Sequence, residues 1–415
     1  MSKVGFGAYR VSIQSEDHEN ALRSAMENNV TLIDTSSNYT DGDSENLIGK
    51  VLKDYEHKPI IISKVGYVQG KNLEILEELK ESSEVEDIVN LSSELKHCIH
   101  PIFIEDQVQR SLERLELESI DVYLLHNPEY YLKSTGATKK EYYQRIKKAF
   151  EKMEELVDRG LIKYYGISSN TFTDPKDDEH STNLDIVFGA ARDITINHHF
   201  KYIQFPLNVL EMGALERQYD GNHLIEQAQI YGLKTIINRP LNSFTDHGLL
   251  RLAIYNVDEM YEDEKNAEIL FNKLIQPLVI KWLEVREDDQ DKLFDIPLMK
   301  QISNMWYKQF SQDGVEQIFF GYFFPLVANI YGRDLEASES QTYYQLFEHA
   351  LEFAKVNMNK RASQFEEKAL NQGLLFEKDI PLTHKVIEKY MSFGIDYILV
   401  GMRKKDYVDD LKEYF

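Results

Sequence analysis

The chain has almost no cysteine. Cys98 stands alone, so no intramolecular disulfide framework can form, and the expected compartment is a reducing one, the cytoplasm by default. Positive charge is also scarce: 47 lysines and arginines face 70 acidic side chains, a formal net charge of −23. Such a field repels phosphate backbones and anionic membrane surfaces unless a local basic patch overrides it, so nucleic acid is not an expected partner. Long apolar runs are missing too. The greasiest stretch, residues 321–330, is too short for a bilayer and contains Pro325, and Glu16, Asp17, Glu19 and Glu27 interrupt any N-terminal signal-like segment. No membrane segment is expected. What is present is ordinary globular usage, 42% hydrophobic and 28% charged over 415 residues, enough for one large barrel with an accessory segment or for two domains.

Short runs rich in Val, Ile and Tyr recur at 4–10, 31–35, 60–65, 120–125, 162–167, 202–205, 234–237 and 397–400. Several are apolar throughout, as strands covered on both faces must be. Between them lie amphipathic stretches, 17–28, 44–55, 104–115, 139–159, 223–231 and 383–392, with Asp43 or Ser44 as a helix N-cap and Gly160 as a helix stop. Eight strands alternating with helices predict a closed (β/α)8 TIM barrel; periodicity alone leaves an open doubly wound sheet as the alternative. Two intervals exceed what a loop needs. One precedes residue 104 and includes the charge-rich run 74–86. The other, rich in aromatics at helical spacing (Trp282, Trp306, Tyr307, Phe310, Phe319, Phe320, Tyr322, Phe323, Phe324 and Tyr331), predicts a large, mainly helical insertion between strands seven and eight. The expected division is a barrel over 1–243 and 381–415 and an insertion over 244–380, with the aromatics forming the insertion's own core.

In a barrel of this kind the strand C-termini build the active site. Three consecutive strands end in ionisable groups, Asp34, Lys64 and His126, and Tyr39 follows in the loop after Asp34. Neighbouring parallel strands lie about 4.8 Å apart, so such groups converge on one small volume. A free tyrosine titrates near ~10; a lysine cation beside it stabilises the phenolate and lowers that value. The chemistry expected is therefore proton transfer from Tyr39, tuned by Lys64, with Asp34 holding Lys64 charged and His126 orienting a carbonyl oxygen.

The stretch Asp34-Thr-Ser-Ser-Asn-Tyr39-Thr-Asp-Gly42-Asp-Ser44-Glu45 resembles the signature of the aldo-keto reductase family. Ser63-Lys64 resembles its lysine site, and Ser111-Leu-Glu-Arg-Leu115 with Ile120-Asp-Val-Tyr-Leu-Leu-His126 is similar to its second signature. The resemblance implies hydride exchange between a nicotinamide cofactor and a carbonyl or alcohol, with Ser169, Asn170 and Gln204 holding the carboxamide. The tail from Gly401 through Arg403, Tyr407 and Asp410 is similar to the family's adenosine-phosphate site. There a Gly-led loop and the basic run Arg403-Lys404-Lys405 suit a 2′-phosphate, so NADP(H) is preferred over NAD(H).

Where many family members place a tyrosine after strand seven, this chain reads Asn238-Arg239-Pro240, so stacking on the nicotinamide is in question and Arg239 is assigned towards the pyrophosphate. The substrate wall is expected to include Tyr9, Tyr67 and Asn127 and to take a small aldehyde, ketone or sugar-like compound; oligomeric state is open. His97-Cys98-Ile-His100 lacks a second ligand pair at zinc spacing, so no metal is expected. The competing function is a non-catalytic NADP(H)-binding sensor or regulatory subunit of the same fold, and a metal-dependent barrel hydrolase ranks behind it. The chain ends at Phe415 without the long tail that often closes the family's pocket, so the insertion is expected to serve as lid or oligomer contact. Deleting residues 241–378 should then alter the substrate KM or the molecular mass in light scattering; unaltered kinetics and mass would remove the idea.

Overall fold

The computed structural model describes residues 3–83, 85–245, 248–288 and 296–415. The parts of the expected run 74–86 and of the expected insertion 244–380 that fall on 84, 246–247 and 289–295 lie outside the described residues, as do residues 1–2. Two compact units are present: Met1–Pro240 with Val386–Phe415, and Leu241–Lys385.

The first unit is a closed barrel. Its strands are β1 (Lys3–Gly7), β2 (Leu32–Asp34), β3 (Ile60–Val65), β4 (Ile120–His126), β5 (Ile162–Ser168), β6 (Phe200–Pro206), β7 (Lys234–Asn238) and β8 (Tyr397–Gly401). Each pairs in parallel with its neighbours, and β8 pairs with both β7 and β1 to close the ring. Inside, Leu32, Ile62, Val122, Leu124, Tyr202, Ile236 and Leu399 form one buried cluster from six strands, so the barrel is a packed core and not a pore. The helices α1 (Glu16–Glu27), α2 (Asp43–Leu52), α3 (Pro101–Leu115), α4 (Lys139–Asp158), α5 (Leu184–Ile194) and α6 (Leu224–Ile230) alternate with the strands. Their amphipathic pattern comes from apolar residues at helical spacing, as in α4, where Tyr142, Ile146, Ala149, Phe150 and Met153 are all buried.

Register places the chemistry. Asp34 stands beside Gly7 on one side and Ile62 on the other, Lys64 beside Leu124, and His126 beside Ser168, which in turn faces Gln204. All lie at the C-terminal ends of their strands, on one mouth of the barrel.

Several local expectations are corrected. The first strand stops at Gly7, because Ala8–Val11 closes into a turn through Val11 N–H to the Ala8 carbonyl (3.0 Å). Neither Asp43 nor Ser44 caps α2: Gly42 does, at φ 92°, while the Ser44 hydroxyl is drawn to Thr35 (2.8 Å) and the Ala8 carbonyl (3.2 Å). Helix α3 begins three residues earlier than expected, with Pro101 in its first turn and the His100 side chain accepting the Ile102 N–H. The excess segment before it folds as a helix, Lys71–Ser82, and a small antiparallel sheet of Tyr67–Val68, Lys96–His97 and Val89–Asn90. Helix α5 has no counterpart in the sequence expectations.

The second unit joins a hairpin, Asn242–Thr245 with Gly248–Arg251, to a helical body. Its helices are Glu264–Asp288, Ile296–Met305, Gln312–Ile318, Phe324–Tyr331 and Ala337–Asn371. The aromatics divide: Trp306, Phe319 and Phe323 are fully buried among Phe271, Tyr343 and Phe353, whereas Phe310, Phe320 and Tyr322 are exposed.

The tightest backbone approach in the barrel wall is at Gly166 of β5, where the pairing with β6 shifts register; a Cβ there would lie 2.0 Å from the Tyr202 carbonyl oxygen. Gly166→Ala should therefore cost about 2 kcal/mol or more of unfolding free energy by forcing the two strands apart. Urea denaturation with an unchanged midpoint would refute this.

Candidate active site

Lys64 is the centre of the mouth. It is fully buried, and its ammonium donates to Asp34 Oδ1 (2.6 Å), to the Thr35 carbonyl (2.7 Å) and to Tyr39 Oη (3.4 Å). Three donors thus have three acceptors, which is what allows a cation at this depth. The other Asp34 oxygen accepts Gln204 Nε2 (2.8 Å), and Gln204 Oε1 accepts the Ser168 hydroxyl (2.8 Å). Burial pushes the Lys64 pKa down from its ordinary value and the Asp34 charge pushes it back up, with burial the larger.

Tyr39 lies with its ring face towards Lys64 Nζ (4.9 Å to the centroid) and edge-on to Tyr9 (5.3 Å) and to His126 (6.1 Å). The expected lowering of its pKa by Lys64 is not met: burial, the Asp34 carboxylate and Tyr9 together push the phenol well above its ordinary value. The first physical reason is burial, which strips a phenolate of its hydration, and the Asp34 carboxylate that holds Lys64 at 2.6 Å adds to it. The phenol is held protonated.

His126 is neutral at ordinary pH, since burial, then Lys64 and His97, drive its pKa well below 6.5. Its Nδ1 lies 3.3 Å from the Ser36 hydroxyl, which itself sits 2.6 Å from Asn38 Oδ1. Beneath, His97 Nε2–H donates to the His126 carbonyl (2.7 Å), and burial lowers the His97 pKa to about 4. Cys98 is buried, its thiol pushed up to about 12. Among the described residues no group of three or more His, Cys, Asp or Glu side chains is placed to hold a metal ion.

A second buried pair supports the loop from below. Glu45 of α2 is fully buried, bonded to Arg114 of α3 (2.7 Å) and to the Ser63 hydroxyl (2.5 Å). The same arginine lies against Gly42, where a Cβ would meet its Cδ at 2.8 Å, so the Gly-x-Ser-Glu pattern reads as backbone clearance plus a buried anchor.

Tyr39, His126, Tyr9, Tyr67 and Arg10 line a cavity of about 380 Å³. Tyr67 is fixed by Asn127 Nδ2–H to its oxygen (2.7 Å) and lies edge-on to His126 at 4.7 Å. Arg10, Thr40, Asp41, Asn127 and Arg239 all take left-handed φ without being glycine, each in a loop that follows a barrel strand. Backbone strain of this kind collects at functional sites.

The residues expected to hold a cofactor are spread along β5 to β8. Gln204 is engaged with Asp34 and Ser168, so its amide braces the carboxylate and is not presented outward. The Ser169 hydroxyl is taken by Thr171 N–H (3.2 Å) and Thr182 (3.0 Å). Asn170 is half-buried, its backbone N–H donating to Glu129. At the end of β7, Asn238 Oδ1 and Arg239 Nε are buried with no hydrogen-bond partner among the described residues. Unsatisfied atoms of this kind cost about 1–3 kcal/mol each, and a polar ligand would satisfy them, so the donor set fits a dinucleotide. Gly401 is exposed with open space around it, and Arg403, Tyr407 and Asp410 are half-exposed beyond it. Lys405 is committed to Asp409 (2.7 Å).

Sequence reasoning missed Ser36 and Glu129. Ser36 was inside the quoted signature but gave no sign that it meets His126. Glu129 carried no motif signal at all; it is buried in the loop after β4, with Oε1 accepting the Asn170 N–H (2.9 Å) and Oε2 without a partner among the described residues.

The model of the Aldo/keto reductase family matches residues 3–293, and the chain belongs to that family. The match runs beyond residue 243, the expected end of the first part of the barrel. Aldo-keto reductase YhdN of Bacillus subtilis is 25% identical over 175 residues, 40% of this chain and 43% of that protein. Uncharacterized oxidoreductase C215.11c of Schizosaccharomyces pombe is 28% identical over 189 residues, 43% of this chain and 50% of that one. The chain thus spans half or less of the length of these curated relatives. Among solved structures, the glycerol dehydrogenase AKR11B4 from Gluconobacter oxydans aligns over 99% of this chain and 86% of its own at 15% identity and a TM-score of 0.49. An aldo-keto reductase from Klebsiella pneumoniae, solved in complex with NADPH, aligns over 58% and 64% at 19% identity and a TM-score of 0.37. No helix among the described residues is long and apolar enough to cross a membrane.

Burial pushes the Glu129 carboxyl from its ordinary 4.5 up to about 7, against hydrogen bonds that lower it. A folded-state pKa above the unfolded one gives stability that is complete below about 4.5 and is lost as pH rises to about 7. The unfolding free energy of Glu129→Gln relative to the parent should therefore rise by on the order of 1–3 kcal/mol across that window and stay level above it. Titration of the buried histidines has the opposite sign but is common to both proteins. Parallel curves in urea denaturation from pH 4 to 8 would exclude a buried ionisation at Glu129.

Proposed function

We infer that the chain is an NADP(H)-dependent oxidoreductase that interconverts a small carbonyl compound and its alcohol. The observation that carries this reading is the convergence of a protonated phenol, a buried ammonium and a neutral imidazole, with Tyr39 and His126 lining one cavity. A reduced nicotinamide held by residues at the ends of β5 to β8 would supply the hydride. Asn170 and Ser169 would hold its carboxamide end, Asn238 and Arg239 its middle, and Gly401, Arg403, Tyr407 and Asp410 its adenosine end. Since Lys405 is paired, Arg403 and Lys404 are the cations we assign to a 2′-phosphate, the basis for preferring NADP(H) over NAD(H).

Tyr39 gives its proton to the carbonyl oxygen as negative charge develops there, so hydride and proton together turn C=O into CH–OH. Lys64 stabilises the phenolate left behind, a role that grows as the proton departs, and Asp34, braced by Gln204, keeps Lys64 aimed at that oxygen. His126 presents Nε2–H to the carbonyl in the tautomer that leaves Nδ1 without a proton, beside the Ser36 hydroxyl at 3.3 Å. Tyr67 serves as wall, and Asn127, which does not line the cavity, holds it by donating to its oxygen.

The purified protein should oxidise NADPH in the presence of small aldehydes, more efficiently than NADH. Tyr39→Phe should lower kcat by about 10²–10⁴-fold while NADPH still binds, read by fluorescence titration. Cofactor binding without turnover by the parent protein would instead establish a non-catalytic NADP(H) sensor.

A further inference from the structure

We propose that His97 is a positioning residue: it fixes the peptide that follows His126, and through it the direction in which the His126 imidazole reaches the reacting carbonyl. The proposal rests on the reductase reading above and adds a residue to the same site. His97 lies in the extra segment between β3 and α3, on the small antiparallel sheet, where it pairs with Tyr67 and Val89. A carbonyl oxygen can only accept, so the 2.7 Å contact with the His126 carbonyl puts the His97 proton on Nε2. Nδ1 is then a bare acceptor, and it is buried with no hydrogen-bond partner among the described residues. A phenylalanine would fill this place without that cost, so what the imidazole contributes is its bond to His126.

The bond is one of two on the same peptide. His97 holds the His126 carbonyl, and the N–H on the other side of that peptide, of Asn127, donates to the Ser168 carbonyl of β5 (2.7 Å). With both groups held the plane of the peptide is set, while pairing with β3 and β5 fixes the strand that leads into His126. A backbone fixed on both sides limits the rotamers open to the side chain between them. The approach of the two histidines also depends on Gly66: a Cβ there would stand 2.5 Å from the His126 carbonyl oxygen and 2.6 Å from His97 Nε2. Only glycine leaves room for the bond to pass. The Gly66 carbonyl accepts the Cys98 N–H (2.8 Å), which ties the chain next to His97 to the end of β3. Tyr67, the residue after that glycine, lies edge-on to His97 at 5.9 Å and to His126 at 4.7 Å, and it lines the cavity. The same segment reaches the loop of Tyr39, where Asp41 accepts the Lys71 N–H (3.0 Å). One excursion after β3 thus touches the supports of both the phenol and the imidazole.

The test is a double-mutant cycle on NADPH-dependent reduction of a small aldehyde, with NADPH affinity read by fluorescence titration. His97→Phe should lower kcat/KM for the aldehyde about 10–100-fold with the Kd for NADPH unchanged, and His97→Gln, which keeps an N–H donor, should recover part of the loss. In a His126→Phe background, His97→Phe should change kcat/KM less than about twofold, because the side chain it positions is gone. A parent-like His97→Phe, a loss carried by NADPH binding, or the same loss in both backgrounds overturns the proposal. If His97→Phe does not fold, His97→Gln carries the cycle: its smaller loss must likewise vanish beside His126→Phe, and no loss or a persistent one overturns the proposal. Where His126→Phe leaves no measurable rate, imidazole NMR decides instead. The resonances lost in His126→Phe should split into more than one set in a folded His97 variant, as the ring loses its single orientation, and one sharp set overturns the proposal. The same spectra decide it if the parent reduces no aldehyde, an outcome that removes the reductase reading on its own.

Discussion

The ammonium of Lys64 buried against Asp34 is the interaction on which the rest of the barrel mouth depends. Separating such a pair by removing one partner costs about 3–5 kcal/mol, a large share of the roughly 5–15 kcal/mol that holds a typical protein folded. The pair is tolerated because the Thr35 carbonyl and the Tyr39 hydroxyl accept the other two ammonium donors, and Gln204 of β6 donates to the second carboxylate oxygen. Gln204 therefore acts across the barrel: a residue of β6 sets the orientation of a carboxylate on β2.

Much of this was readable in the residues. The apolar strands, the polar groups that end them and the Gly-x-Ser-Glu pattern all follow from local rules of periodicity and punctuation, and those elements stand where they were expected. What was not readable depends on three-dimensional competition for the same atoms. Ser44 has the chemistry of a helix cap, but Thr35 and Ala8 compete for its hydroxyl. Lys64 has the charge to acidify Tyr39, but the depth of the phenol and the Asp34 carboxylate outweigh it. Glu129 has no motif, and its importance arises only from depth of burial. The small sheet around His97 escaped notice because two-residue strands bury too few residues to impose a period, whereas α5, longer than α6, carried a readable period that was passed over.

The left-handed residues around the mouth tie local backbone to function. Thr40 and Asp41 turn the chain between Tyr39 and α2, and Asn127 turns it after His126. These conformations persist because neighbouring contacts over-determine them: Thr40 is bonded to Val11, and Asn127 to Tyr67. Geometry at the site is thus fixed by loops that are individually strained and collectively pinned.

The position of β8 in the chain has a consequence for biogenesis. This strand fills the gap between β1 and β7, yet the whole of Leu241–Lys385 is translated between β7 and β8. During synthesis the first seven strands therefore emerge as an open sheet with two unpaired edges, the arrangement most prone to adventitious strand addition. The inserted unit, with its own Trp306-centred core, has the means to fold in that interval. Ring closure needs β8, so it cannot precede translation of the inserted unit.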